Sequence, residues 1–156
     1  MRGKVKVKRQ KSKVKYKILP HIATADYAFQ AFGKNYNELF ENAACAVSEI
    51  SVSLKDVKPF RTKWIKLTRP SLEELLFSFL QELVFVKDSE GLIFKDFQVE
   101  VAKRKGNYQL LARLKGERID YKKHEVKADI KAITKHLFKI KKDVKKGYFL
   151  TCVVDV

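Results

Sequence analysis

Apolar residues recur at helical intervals in two stretches of the chain. The first stretch follows Asn35, which has with Glu38 the spacing of a capping box. Its apolar positions are Leu39, Ala43, Val47 and Ile50. This periodicity predicts an amphipathic helix from Tyr36 to about Ile50, with its apolar stripe in the core.

The second stretch follows Pro70, and Ser71 with Glu74 repeats the capping-box spacing. Its apolar face is wide and consists of Leu72, Leu76, Phe79, Leu80 and Leu83. The pattern predicts a second helix from Leu72 to about Val86.

Other segments alternate apolar and polar residues, as strands do. Two of them, residues 97–101 and 108–114, flank the turn sequence Lys105-Gly106-Asn107 and predict a hairpin. The remaining predicted strands are residues 16–19, 27–32, 63–67, 128–134 and 149–154. Together the elements predict an α+β, two-layer sandwich, in which a mostly antiparallel sheet packs two helices on one face.

Length and composition indicate one domain. The chain has 156 residues, of which 46% are hydrophobic, enough for a single core. We assign residues 14–156 to that domain and residues 1–13 to a basic N-terminal extension. No apolar run spans a membrane and no secretory signal is present, so we expect a cytoplasmic protein. Cys45 and Cys152 lie far apart in the sequence and are expected to be reduced core thiols.

The formal net charge of +16 makes nucleic acid, or a partner bound to nucleic acid, the first expected ligand. Residues 1–17 contribute nine basic side chains and no acid. They suit a flexible arm that contacts tRNA or other RNA. They equally suit a solvated strand edge, because Lys and Val alternate from Lys4 to Lys8. The charge pattern leaves both interpretations open.

Common enzyme motifs are missing from the sequence: there is no glycine-rich phosphate loop, no zinc-binding spacing and no nucleophile elbow. The chain instead ends in an apolar strand followed by Asp155 and Val156. The Asp155 side chain and the α-carboxylate of Val156 offer oxygen ligands for a hard cation such as calcium or magnesium. On spacing alone, a frayed terminus with an exposed acid explains the same residues.

A set of motifs distributed along the chain resembles the archease family. HIATADYAFQAFGKNYNELFENAACA (residues 21–46) is similar to the family's N-terminal signature, and SLEELLFSFLQELVFVKDSEGLIFKDFQV (71–99) to its second helix and following strand. HEVKADIKAITKHLFKI (124–140) and the final VVDV complete a resemblance that covers residues 16–156.

The resemblance implies an accessory protein and not an enzyme. Archeases act on the GTP-dependent ligase that joins tRNA halves through a 3′-phosphate, promoting guanylylation of the ligase and repeated turnover. The resemblance also implies a divalent-cation site that is formed by Asp26, Asp155 and Val156 and is expected to hold calcium. Lys123 and Lys131 are expected to flank this acidic site as basic, cofactor-binding groups, although both also fit ordinary surface lysines.

A free-standing basic RNA-binding module is the alternative function. Such a module is expected to display aromatic and basic side chains together on a strand. The sequence does not single out such a strand, because Phe29, Phe32, Phe97 and Phe138 fit core positions as readily as a stacking surface.

Overall fold

Both predicted helices are present in the computed structural model, which describes residues 15–23, 26–145 and 147–156. The basic extension assigned to residues 1–13 lies outside these ranges. Helix α1 spans Tyr36–Ser51, and the Asn35 side chain accepts a 2.9 Å hydrogen bond from the Glu38 N–H. Both predicted start signals are therefore confirmed, because the Ser71 hydroxyl caps helix α2 in the same way.

Helix α2 is longer than the apolar pattern predicts. It spans Leu72–Glu90 and ends at Gly91, which has a φ of 68°. Glycine adopts this left-handed conformation without steric cost, and it commonly ends helices for that reason. The last turn of α2 is polar and exposed at Asp88, Ser89 and Glu90, so it contributes no apolar signal.

Eight strands are present in the described residues. They are β1 (Tyr16–Ala23), β2 (Asp26–Gly33), β3 (Arg61–Arg69), β4 (Leu92–Arg104), β5 (Asn107–Arg118), β6 (Ala132–Ile133), β7 (Lys139–Asp143) and β8 (Gly147–Asp155). The predicted hairpin is β4–β5, and Lys105 and Gly106 at its turn both have positive φ, as tight hairpin turns require. The predicted strand at residues 128–134 is reduced to the two residues of β6.

The strands form two sheets, and every pair of named strands is antiparallel. One sheet has the order β1-β2-β8-β6, with β7 also paired to β8, and the other has the order β3-β5-β4. The predicted α+β class with mostly antiparallel pairing is confirmed.

Side chains from the helices bind strand edges of both sheets. On α1, the Glu41 carboxylate accepts a hydrogen bond from the Val99 N–H of β4 at 2.8 Å. On α2, the Gln81 amide oxygen accepts one from the Ile133 N–H of β6 at 3.0 Å. Unpaired strand edges template aggregation, and these contacts satisfy edge N–H groups. Polar side-chain contacts thus tie the helices to strands of both sheets.

Both sheets and both helices share one apolar core. Phe40 of α1 and Phe79 of α2 are fully buried and stack with ring centroids 6.3 Å apart. Phe29 of β2 and Leu114 of β5 reach the same cluster from the two sheets. Shortening either helix phenylalanine to alanine is expected to cost about 3–5 kcal/mol.

Both cysteines are free, as the sequence predicts. Cys152 is buried in β8, and burial raises the pKa of its thiol to about 12. Cys45 is only half-buried, but burial is also the main cause that raises its pKa. Since the thiolate is the reactive form, both thiols are chemically quiet.

Candidate metal centre

The β2–β8 pairing brings two of the predicted site residues together. Asp26 is the first residue of β2 and Asp155 is the last residue of β8, and the antiparallel register places them directly opposite each other. Asp26 also pairs with Ala23 of β1. Directly opposed residues have Cβ atoms about 4.5–5.5 Å apart. The two aspartates therefore lie close together at the end of the sheet.

Lys131, the residue immediately before β6, lies beside Asp155. Ala132 pairs with Asp155, and the Lys131 N–H donates a 2.8 Å hydrogen bond to the Asp155 carbonyl. The Thr134 hydroxyl donates to the Val153 carbonyl at 2.9 Å and fixes the other end of this segment. The Lys131 residue is exposed. The structure thus brings Asp26, Asp155 and Lys131 to one end of the five-stranded sheet, and Val156 follows Asp155 in the chain. We call Asp26, Asp155, Val156 and Lys131 the acidic corner.

The opposed carboxylates have an unfavourable electrostatic arrangement unless a cation lies between them. Like charges directly opposite each other in an antiparallel pair are destabilising. Both aspartates are half-buried, and neither makes an ion pair within the described part of the chain. A hard cation bound by oxygen ligands would relieve this repulsion.

The number of ligands at this corner is small. Among the described residues, no group of three His, Cys, Asp or Glu side chains is close enough to hold a metal ion. Two carboxylates fit a cation such as calcium, provided that main-chain oxygens or water complete its shell. Val156 follows Asp155 directly in the chain, so its main-chain oxygens are candidates for this role.

Lys123, the other predicted basic residue, has its contacts at the C-terminal end of β5. Its ammonium group lies 2.8 Å from both carboxylate oxygens of Glu117. It also lies over the ring of Phe60, 5.7 Å from the centroid. The described contacts of Lys123 are therefore with a partner that the sequence analysis did not identify.

Glu117 is the centre of a small polar cluster. His124 is fully buried at its side chain, and its Nε2 lies 3.0 Å from a Glu117 carboxylate oxygen. The Asp120 N–H donates to His124 Nδ1 at 2.9 Å, which leaves the Nε2 position to carry the proton that is donated to Glu117. Lys58 adds a 2.7 Å hydrogen bond from its main-chain N–H. This network ties the segment after β5 to the strand end.

The electrostatics of this cluster favour a charged Glu117. Burial acts to raise its pKa, but hydrogen bonds from Lys123, the Lys58 N–H and His124 outweigh burial and lower the pKa to about 2. Sequence reasoning missed this residue because its partners come from two separate segments, Lys58 before β3 and the pair Lys123 and His124 after β5. The sequence signal was limited to His124 between the charged residues Lys123 and Glu125, and only the structure shows that its side chain is buried.

Comparison with known proteins identifies the family. Residues 16–156 match the family model described as Archease protein family (MTH1598/TM1083). The chain belongs to the archease family. Its predicted membership, based on the residues quoted above, is confirmed.

Individual archeases match over most of their length. The Pyrococcus abyssi protein archease is 39% identical over 119 residues, which is 76% of this chain and 84% of that protein. The Sulfurisphaera tokodaii protein archease is 38% identical over 144 residues, 91% of this chain and 99% of that protein.

A solved structure has the same fold. The solution structure of Methanobacterium thermoautotrophicum protein 1598 matches with a TM-score of 0.80 and 27% sequence identity, covering 91% of this chain and 99% of that one. In the described residues of the present archease-family chain, neither helix is long and apolar enough to cross a membrane.

Proposed function

We propose that this archease-family protein activates the GTP-dependent ligase that joins tRNA halves through a 3′-phosphate. It promotes guanylylation of the ligase and converts the ligase to multiple turnover, and it does no ligation itself. The observation that carries the proposal is the register of Asp26 opposite Asp155. Membership of the family supports the choice of the ligase as the partner.

The acidic corner is the functional site in this proposal. Asp26 and Asp155 would hold a divalent cation, calcium in the first instance, together with a main-chain oxygen of Val156. Such a cation supplies positive charge that can bind phosphate oxygens. The described contacts support this ligand set, because the two carboxylates are directly opposed and form no ion pair in the described residues.

Lys131 acts beside the carboxylates. Its main-chain N–H fixes the end of β8 through the Asp155 carbonyl, and its exposed side chain is available to a phosphate or to an acidic group of the ligase. Lys123 takes no part in this proposal, because its ammonium group is held by Glu117.

An activator without catalytic residues works by shifting the population of its partner. The ligase must pass through a conformation that accepts GTP, and a protein that binds this conformation more tightly than the others increases its share. The preformed site suits that role, since the paired strands β2 and β8 hold Asp26 and Asp155. Rigid elements position binding groups more accurately than loops.

A turnover assay tests the proposal. A splicing ligase is incubated with GTP and an excess of RNA halves that carry a 3′-phosphate and a 5′-hydroxyl, with and without catalytic amounts of this protein. We expect more than one product per ligase only when the protein is present, and faster guanylylation of the ligase. Equal product in both reactions would contradict the activator function.

A further inference from the structure

The three-stranded sheet has one face that the helices leave open. Along β3 the buried residue Ile65 alternates with exposed Trp64 and Lys66, and along β5 buried Ala112 lies between Leu111 and Arg113. Because side chains alternate across a strand, the exposed residues share the face opposite the core. Helices α1 and α2 pack on the buried side, where Ile65 and Ala112 join the core cluster.

Two exposed aromatic rings lie along the edge strand of this face. Trp64 is 59% exposed, and Phe60, immediately before β3, is 75% exposed. Four residues of extended chain separate them by roughly 13 Å. The cation over the Phe60 ring belongs to Lys123, which is bonded to Glu117 at the end of β5. Phe60 therefore lies at the same side of the sheet as the outer residues of β5.

Positive side chains surround Trp64. The strand register places Arg113 directly opposite Trp64, Lys115 opposite Thr62, and Leu111 opposite Lys66. In the part of the chain that the structure describes, Lys66, Arg113 and Lys115 make no ion pair. The Arg113 guanidinium donates to the Gln98 side chain, which holds it across the sheet. We call Trp64, Lys66, Leu111, Arg113 and Lys115 the outer patch.

Acidic residues limit the outer patch on one side. On the outer face, Asp96 of β4 lies opposite Lys115 and Glu100 lies opposite Leu111. Neither β3 from Thr62 onward nor β5 up to Lys115 contains an acidic residue. A polyanion is therefore attracted to the β3–β5 half and repelled from β4. The charge distribution defines a strip along the two strands.

We propose that the outer patch binds single-stranded RNA. A base stacks on the exposed indole of Trp64, and phosphates contact Lys66, Arg113 and Lys115. Aromatic side chains beside a positively charged surface are the feature that single-strand binding proteins share. A protein partner would use the same tryptophan as an anchor, but Lys66, Arg113 and Lys115, which make no ion pair in the described residues, and the net charge of +16 favour a polyanion.

The single tryptophan of the chain makes this inference directly testable, because fluorescence reports on Trp64 alone. The full-length protein is titrated with a ten-nucleotide oligouridine and a ten-nucleotide oligoadenosine. We expect saturable quenching of the tryptophan fluorescence as bases stack. A matched RNA duplex is expected to quench less, since its bases are already stacked. RNA binding without quenching would place the RNA elsewhere, for example on the basic N-terminal segment, and would overturn the proposal.

Matched variants separate stacking from charge in an anisotropy assay with labelled RNA. Trp64→Ala is expected to weaken binding roughly 5- to 150-fold, since stacking contributes about 1–3 kcal/mol per base. Phe85→Ala is the control, because Phe85 of α2 is equally exposed, at 59%, and is expected to change nothing. Arg113→Gln and Lys66→Gln should each reduce the slope of log affinity against log salt by about 0.7.

The ligase provides the competing outcome. If Trp64→Ala keeps its RNA affinity but no longer stimulates the ligase, the outer patch binds a protein partner and the RNA assignment is overturned. If Trp64→Ala loses RNA affinity but still stimulates the ligase, the RNA assignment is supported. Because RNA binding is measured without ligase, failure here leaves the activator proposal standing. Equal melting temperatures of Trp64→Ala and wild type exclude an effect of unfolding.

Discussion

Asp26 and Asp155 lie directly opposite each other in the β2–β8 pair, at the end of the five-stranded sheet. Two opposed carboxylates repel each other, so the arrangement costs free energy in the absence of a cation. A cation bound between the carboxylates would remove this repulsion. Asp26→Asn is therefore expected to stabilise the protein without metal and to abolish the stabilisation by metal.

Asp26→Asn is expected to stabilise the metal-free protein by about 0.2–1 kcal/mol, because it removes the like-charge repulsion across the pair. In wild type, calcium at 100 times its dissociation constant is expected to raise the melting temperature by about 5–10 °C. The variant should lose this response. Differential scanning fluorimetry with calcium and with chelator measures both effects.

Asp88→Asn is the control for that experiment, since Asp88 lies on the exposed last turn of α2. It should respond to calcium as wild type does. A calcium response that Asp26→Asn retains would place the cation elsewhere.

Glu117 is expected to make stability depend on acid pH. Its pKa in the folded protein is about 2, compared with an ordinary value of 4.5. A lowered folded-state pKa contributes stability that is complete above pH 4.5 and is lost as the pH falls through 2. Glu117→Gln removes hydrogen bonds to a charged group, which should cost about 1.5–3 kcal/mol at pH 7, and it should flatten the fall in stability between pH 4.5 and 2. Denaturant unfolding at several pH values measures this slope.

Glu100→Gln provides the comparison, because Glu100 is exposed on β4. Its profile should follow that of wild type. An equal slope in Glu117→Gln and wild type would show that the carboxylate is not stabilised by Lys123 and His124.

Gly147 is expected to tolerate no side chain. Its φ is +85°, and a Cβ atom would lie 2.5 Å from the Gly33 carbonyl oxygen. Gly147→Ala should cost about 1–2 kcal/mol for the backbone conformation alone, and the contact with Gly33 adds to that cost. Thermal unfolding compares it with Gly106→Ala, where φ is +82° but no atom lies within 4 Å of the added Cβ. Equal losses in the two variants would contradict the steric part of this account.

The sequence predicts local structure well because its signals are local. Asn35 and Ser71 begin the helices through hydrogen bonds to N–H groups three residues away. Lys105 and Gly106 form the predicted hairpin turn. The division of the strands into two sheets depends instead on long-range contacts, such as the pairing of β2 with β8. No periodicity along the chain encodes such a contact.

The residues of the two proposed sites were predictable to different degrees. Asp26 and Asp155 come from opposite ends of the chain, so the resemblance to archeases indicated their proximity and spacing alone did not. Lys123 was expected beside them, but an unforeseen partner, Glu117, holds its ammonium group. Alternation predicted the strand at Trp64, yet the exposure of its indole depends on which face the helices cover. That choice is made by tertiary packing.

Multiple turnover of the ligase with Asp155→Asn is the most direct test of the proposed function. Wild type, Asp155→Asn and Asp88→Asn are compared at equal folded concentrations, with ligase, GTP and excess RNA halves. We expect wild type and Asp88→Asn to give many products per ligase, whereas Asp155→Asn gives about as much product as buffer. Full stimulation by Asp155→Asn, in a protein with an unchanged melting temperature, would contradict the claim that the acidic corner activates the ligase.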